Sequence, residues 1–577
     1  MEKNTAWAIG LSSIVLIVFF FLQTFFMPKQ TAAANPSDDN SKVEAVADTQ
    51  NSASNENVYE LENTITSAIN DLSEETFTVE TEKLIVKFTN RGGDVISYLL
   101  KDHIDSDTKL PIEMADNISE KNRAFALSLG NEDNSIVNDI FTAKKINDTT
   151  IGFFKKYSIK NDDGTKGEFT LVKTYTFDNS DYVFKLDITI APGENFKGLK
   201  FDDRAYSLRS SPQIGPLYNP KINRYENRQF ISYNGKNKKR IILGNNQTKN
   251  YDKEWQWISM AGKYFEVLTY PANKENMNSK VVYSSKSDLS EKTNAQAIIS
   301  RKAIDESGSN DVYYIYVGPR NEKDLRIYNV PENNVWKLDG VRFDDSIQTT
   351  GFLSWLEVVL KFLLELINKA VHNWGISIII LTALLKFAMF PITAKTAKST
   401  VKMQEVQPKI QALQEKYRDN PQKLNEQTMK LYKEVGYNPV SGCLPMLFQF
   451  VILFAMYNLF NNYFEFRGAS FIPGWISDLS TGDHVKTLGF NIPFIGNQIR
   501  LLPVIYVISQ LLFGKITQNG GTAAGQNAGQ MKMMMYGMPI LFFFLFYNAP
   551  SGLLLYWTVS NLIQLGQQLV INKTVKK

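Results

Sequence analysis

Five apolar segments crowd into the last third of the chain: Gly375–Ile392, Pro445–Phe460, Ile499–Phe513, Met533–Tyr547 and Leu553–Ile571. Runs of this kind are buried either in a large core or in a bilayer, which a helix crosses with roughly 20 residues. A sixth run, Trp7–Met27, lies near the start. It is longer than the about 7–15 apolar residues of a signal peptide, which favours a retained anchor over residues 1–28. "TAAAN" (Thr31–Asn35) keeps the cleaved alternative open, because it supplies small residues. The expectation is a polytopic α-helical membrane protein with six transmembrane helices, the shorter ones tilted or in a locally thinned bilayer.

Charge divides the chain in the same place. From Pro28 to Thr350 there are 42 Lys and Arg against 48 Asp and Glu, a net of −6, while the remainder holds 21 against 11, a net of +10. A mildly acidic soluble part is joined to a basic, apolar part. This suits a membrane protein better than a nucleic-acid binder, whose basic patch would sit on a folded polar domain. Positive charge also orients the spans. The loop 394–436 carries nine Lys and Arg and five acids, whereas Asn461–Arg500 carries three of each. The first loop is therefore expected in the cytoplasm with both chain ends, including the basic tail 573–577, and residues 29–350 on the outer side.

Residues 29–75, rich in Asn, Ser, Ala, Asp and Glu, read as a disordered tether. Residues 76–350 read as many short strands. "TFTVETEKLIVKFTN", "TYTFDNSDYVFKLDITI", "WQWISMAGKYFEVLTYP" and "DVYYIYVGP" are strand-like, and "RGGD" (Arg91–Asp94) is a turn. They predict a large antiparallel β-sandwich. In 351–373, Glu357, Lys361, Glu365 and Asn368 recur at helical spacing, which predicts an amphipathic helix lying in the membrane interface. Within 394–436, two apolar stripes (Ile410, Leu413, Tyr417 and Leu424, Leu431, Val435) flank "RDNP" and predict an antiparallel helical hairpin. A solvated linker explains that hairpin as well as a docking role does.

The segment "SIIILTALLKFAMFPIT" contains Lys386. A charge at membrane depth costs about 2.5 kcal/mol or more. Lys386 lies seven residues before Thr393, about 10 Å along a helix, so its side chain can snorkel to the headgroups. Its neighbours argue for more: Thr382, Lys386, Met389 and Thr393 share one helical face. The last segment carries Trp557, Asn561, Gln564 and Gln568 at the same spacing, and Gln449 opens another. No Asp or Glu lies in any span. Facing polar stripes around an unpaired cation predict a water-filled cavity open to the inside. Met535 and Met538 in "MKMMMYGM" suit an adaptable apolar wall and equally an ordinary lipid-facing surface.

At "NWGISIIILTALLKFAMFPIT", "QPKIQALQEKY", "NPVSGCLPMLFQF" and "FYNAPSGLLLYWTVSNL", with "RGGD" and "YVGPR" in the β-rich part, the chain resembles the YidC membrane-protein insertase family of the Gram-negative type. The resemblance runs from about Thr76 to Asn572. It implies a periplasmic β-supersandwich, an interfacial helix, a cytoplasmic hairpin and a five-helix insertase core over 374–572, in the inner membrane. It implies that nascent membrane proteins are inserted, alone or beside the Sec translocon, through a hydrophilic groove that includes Lys386, Thr382, Gln449, Tyr556 and Trp557. Thr393, Asn561, Gln564, Met535 and Met538 are further candidates for its lining, and the ribosome and signal recognition machinery are candidate partners of 394–436 and the tail. The chain departs from the family at Lys386, where arginine is usual, and at Val451, where proline is common.

One cysteine, three dispersed histidines and the absence of a GxxxxGK[ST] loop leave no disulfide, metal-ligand or P-loop pattern. No cofactor, metal or catalytic residue is expected. Two other classes remain open at this point. A secondary transporter would show repeated halves, which the sequence lacks. A glycan-binding sandwich on a membrane anchor would place the activity in the β domain.

Overall fold

The computed structural model describes residues 65–67, 73–105, 108–115, 118–210, 215, 228–242, 247–284, 296–347, 353–418, 420–434, 439–492, 495–518 and 536–575. The expected anchor, most of the tether and Met535 lie outside the described residues. Part of the presumed tether is ordered instead. Ile65–Ser67 forms a strand on Thr150–Lys160, and Asn90 donates to the Ser73 carbonyl at 3.0 Å. The strand "ITS" is short enough to be hidden among polar neighbours, and an open sheet edge supplies its hydrogen bonds.

Among the described residues, 65–347 build three antiparallel sheets of ten, five and four strands around one hydrophobic core. The middle of the large sheet runs Lys166–Phe177, Val183–Pro192, Ser309–Pro319, Phe265–Pro271 and Trp257–Ala261. Lys166–Phe177 buries every second residue, as a half-buried strand must, whereas Phe265–Pro271 and Trp257–Ala261 are buried almost throughout. Aromatic pairs join the layers, such as Phe88 with Tyr175 at 4.9 Å and Phe230 stacked on Tyr283 at 4.4 Å.

The "RGGD" turn is held by sterics and charge together. Gly92 and Gly93 have φ of 70° and 62°, and a Cβ on Gly93 would stand 2.7 Å from the Phe153 Cβ. Only glycine fits there. The turn delivers Asp94 into the core, where Lys173 reaches it at 2.5 Å and Arg123 at 2.9 Å. Lys173 also donates to the Phe125 carbonyl at 2.9 Å. A fully buried ion pair survives desolvation only with such extra hydrogen bonds.

Among the described residues, seven helices follow the short helix α1 (Glu322–Arg326): α2 (Ser354–Val371), α3 (Trp374–Lys416), α4 (Pro421–Glu434), α5 (Pro439–Asn462), α6 (Leu502–Gln518), α7 (Met538–Phe546) and α8 (Ser551–Val575). Among the described residues, the stretch Trp374–Ala394 of α3 is long and apolar enough to cross a bilayer by itself, with a mean hydropathy of 2.1, and Leu502–Ile516 of α6 is apolar but shorter. Large apolar side chains nevertheless stand outward on several helices: Leu384 and Phe387 on α3, Ile508 and Leu512 on α6, Leu541 and Phe544 on α7, Leu562 and Val570 on α8. Such a surface matches lipid, not water. Helix α3 continues through Pro391 and Pro408 into the hairpin, so span and hairpin arm are one element. In "RDNP", the Asn420 side chain accepts from the Lys423 N–H at 3.0 Å, and Pro421 opens α4 where its missing N–H costs nothing.

The polar stripe of α2 is present but faces inward. Glu357 accepts from Asn458 of α5 at 2.7 Å, Lys361 meets Glu322 of α1 at 2.7 Å, and Glu365 accepts from the Tyr463 hydroxyl at 2.8 Å. Trp355, Val358 and Phe362 are exposed on the opposite side. An interfacial helix does this when its charged face has protein partners and its apolar face has lipid.

A second contact joins the β domain to the bundle. Phe464, just after α5, sits edge-on to His103, Tyr264 and Phe265 with ring centres 5.4–6.1 Å away. Arg467 covers the Phe265 ring at 5.0 Å and donates to the Ile104 carbonyl at 2.8 Å. Burial, helped by the Arg467 and Lys83 cations and opposed by Asp102 and Asp324, pushes His103 down to about 4. The undocked histidine titrates near 6.5. Its folded value is depressed, so the undocked state binds more protons between pH 6.5 and 4. The docked arrangement is fully supported above pH 6.5 and loses this contribution as the pH falls to about 4. Energy transfer between dyes on the β domain and the bundle is expected to fall across that window, and His103→Phe to flatten the profile.

Candidate functional site

Helix α3 begins at Asn373, whose side chain accepts from the Ile376 N–H at 3.0 Å. Its inward face buries Ser377, Ile378, Leu381, Thr382 and Lys386 in succession, while Leu384 and Phe387 stand out at 53% and 68% exposure. The same helix that meets lipid on one side thus carries a hydroxyl and an ammonium on the other. The Thr382 hydroxyl donates to the Ile378 carbonyl at 2.6 Å, so its proton is committed to its own helix.

Lys386 is 7% exposed. Its ammonium donates to the Gln564 side-chain carbonyl of α8 at 3.0 Å. One residue-turn on, Gln567 donates to the Lys386 backbone carbonyl at 3.4 Å. No carboxylate pairs with Lys386 among the described residues. An amide dipole offsets only part of the cost of removing an ammonium from water, so the remainder calls for water or an anion.

Space for either lies next to it. Thr382, Leu385, Lys386 and Met389 of α3, Gln449 and Ile452 of α5 and Tyr556 of α8 surround about 250 Å³ of empty volume that merges with open solvent. Three helices contribute, and polar and apolar side chains alternate around the wall. The arrangement sets a cation beside open space, with polar groups on part of the wall and apolar side chains on the rest.

The predicted residues divide between two sets of neighbours. Thr382, Lys386, Gln449, Tyr556 and Gln564 gather at the cavity. Trp557 turns the other way, with its ring 4.6 Å from Phe546 of α7 and 5.7 Å from Tyr506 of α6. Asn561 donates to Ser509 of α6 at 3.2 Å. Consecutive residues on a helix differ by about 100° in direction, so Tyr556 and Trp557 serve different neighbours. Thr393 lies beyond the cavity lining, bonded to the Met389 carbonyl at 3.2 Å. Met538 stands on α7 at 36% exposure, away from the cavity. Leu385, Ile452 and Gln567 were not singled out from the sequence. Gln567 is the one with a signal, since it lies one residue short of Gln568 in an otherwise apolar helix. Among the described residues no group of His, Cys, Asp and Glu could hold a metal ion.

A sheet domain carried on helices that face lipid outward, with a buried cation and a polar cavity between them, defines an integral membrane protein with a large domain outside the bilayer. Comparison with known proteins narrows this. The family described as 60Kd inner membrane protein matches residues 366–577, and that described as YidC periplasmic domain matches residues 76–362. The membrane protein insertase YidC of Treponema denticola is 44% identical, with all of both chains covered. That of Treponema pallidum is 36% identical over the same full coverage. A solved structure of an active YidC insertase with its first transmembrane domain resolved shares 18% identity, with 87% of this chain and 93% of that one covered and a TM-score of 0.35. The chain belongs to the YidC family.

The division of α8 has a measurable consequence. Trp557→Ala leaves a void between α6, α7 and α8. A buried tryptophan costs about 3–5 kcal/mol in a water-soluble core, but lipid supplies little hydrophobic drive. The packing share, about 2 kcal/mol, is expected as a lower melting midpoint in detergent. Photocrosslinking of clients from position 382 should be unchanged. Loss of that crosslink without loss of stability would place Trp557 in the cavity wall.

Proposed function

We propose that this protein inserts nascent membrane proteins into the inner membrane, using the Lys386 cavity as the entry for their polar segments. The observation that carries this reading is a buried ammonium that has no carboxylate partner among the described residues, bonded to Gln564 at 3.0 Å and open to a cavity lined by three helices. Family membership supports the same reading, since the Treponema relatives are named membrane protein insertases. In this scheme the protein has six spans: an anchor in 1–28 and five in the core 374–572. Residues 76–350 lie outside, 351–373 rests at the interface, and the hairpin 394–436 and both chain ends lie in the cytoplasm. Insertion proceeds alone or with the Sec translocon as partner, and the hairpin and basic tail receive the ribosome or its targeting machinery. The process is physical, not chemical, and requires no cofactor.

A client's hydrophilic tail enters the cavity from the cytoplasm. Lys386 attracts its acidic groups, and Gln449, Thr382 and Tyr556 replace part of its hydration. The cavity shortens the apolar barrier that the tail must cross. The client's own helix then leaves sideways into lipid, where burial stabilises it by about 25 cal/mol per Å² of apolar surface.

Reversing the charge tests this directly. In a wet cavity two charges a few ångströms apart interact by roughly 1–4 kcal/mol, so Lys386→Glu is expected to slow insertion of clients with acidic outer tails by roughly tenfold. Clients with neutral tails should change least, and Lys386→Arg should retain activity. Insertion into vesicles, scored by protease protection of the tail, gives the readout. Equal insertion of all clients by the Glu variant would overturn the electrostatic role. Crosslinks from positions 382 and 449 to a stalled nascent chain test the cavity itself.

A further inference from the structure

Between α5 and α6 stands a two-stranded hairpin, Lys486–Ile492 with Gly496–Ile499. Its base is fixed. Asp483 accepts from the Leu501 and Leu502 N–H groups at 2.6 and 3.0 Å, starting α6. Arg500 donates to the Asp483 carbonyl, to Asn548 and to Gln498 at 2.9, 3.2 and 2.7 Å. Beyond this base none of the described residues from His484 to Ile499 is buried. Among the described residues its tie to another helix is at the base, where the Tyr547 hydroxyl after α7 donates to the Gln498 carbonyl at 3.0 Å, and an isolated two-stranded hairpin is marginal at best in water.

Its composition is unlike that of a hydrated loop. Leu488, Phe490 and Ile492 recur at every second position, and Phe490, Val485 and Ile499 are 65%, 49% and 39% exposed. The exposed apolar surface does not stop at the base. It continues through Leu501 and Val504 to Ile508 and Leu512, the outward face of α6. It is therefore continuous with a surface turned to lipid, and none of its residues lines the Lys386 cavity. From His484 to Gln518 the chain has Lys486, Arg500 and Lys515 and no Asp or Glu. Apolar side chains with only cationic neighbours match the boundary between acyl chains and anionic headgroups.

We infer that the 486–499 hairpin lies in the headgroup–acyl boundary of the bilayer, with Phe490 immersed and Lys486 at the phosphates. It anchors the start of α6 to the membrane surface. The inference rests on α6 being a membrane span, and the experiment separates the two.

Cys443 is the one cysteine in the chain, so Cys443→Ser gives a background for single-site labelling of the full protein. Nitroxide labels are placed in turn at positions 490, 497 and 508, with Leu488→Cys as a second hairpin site should Phe490→Cys misfold. In proteoliposomes containing phosphatidylglycerol, collision rates with oxygen and with a water-soluble nickel chelate report lipid and water. At 508 and at 490 or 488, oxygen is expected to exceed nickel several-fold, and the ratio to reverse at 497. A hairpin label as open to nickel as 497, with 508 in lipid, overturns the inference alone. A hairpin label reached by neither quencher also overturns it, because protein then covers the hairpin. Nickel access at 508 as well would instead remove α6 from the membrane.

Discussion

A cation on the inner face of an apolar helix has few solutions, and the bundle is arranged around one of them. Lys386 has a glutamine carbonyl at 3.0 Å and no carboxylate partner among the described residues. A carboxylate would have neutralised it and closed the site. A purely apolar surround would have left the ammonium without hydration, at a cost that a helix of this kind does not recover from packing. An amide dipole on one side and open volume on the other hold the charge in place and leave it available. The positions of α5 and α8 follow from that requirement, since Gln449, Tyr556, Gln564 and Gln567 must all reach the same level of α3.

The same inversion of a soluble core recurs in α2. Its stripe of Glu357, Lys361 and Glu365 would face water in a soluble protein. Here it binds Asn458, Glu322 and Tyr463, and Trp355, Val358 and Phe362 face outward. Hydrogen bonds between helices contribute modestly in a membrane. Their directionality nevertheless fixes which face of α2 meets which neighbour, something that apolar contacts with lipid cannot do.

The strand pairs of the β domain were legible because alternation and turn residues are local signals. "RGGD" was legible as a turn, but its deeper role was not, because the partners of Asp94 come from Arg123 and Lys173, far along the chain. In the bundle, Lys386 was legible because a charge interrupts an apolar run. The helical face it shares with Thr382 and Met389 follows from spacing alone. Trp557 and Asn561 were grouped with that site since they repeat with Gln564, yet they meet Phe546 and Ser509. Periodicity says which residues share a face of α8 and cannot say which helix stands opposite it. The hairpin 486–499 was hidden because Gly, Asn and Pro among its apolar residues read as a loop.

Helix α2 ties these parts together mechanically. Lys361 holds α1 of the β domain, Glu357 and Glu365 hold the end of α5, and Asn368 accepts from Ser377 at the start of α3 at 3.3 Å. Phe464 and Arg467, directly after α5, are seated in the β domain. The β domain is therefore tied, directly at the end of α5 and through α2 at the start of α3, to the two helices that carry Gln449 and Lys386. Rotating the domain requires breaking the Lys361–Glu322 pair and withdrawing Phe464 from its aromatic pocket, or else turning those helices with it. The wall of the cavity opposite Tyr556 is in this way set from the β domain, by contacts that the cavity residues themselves do not make.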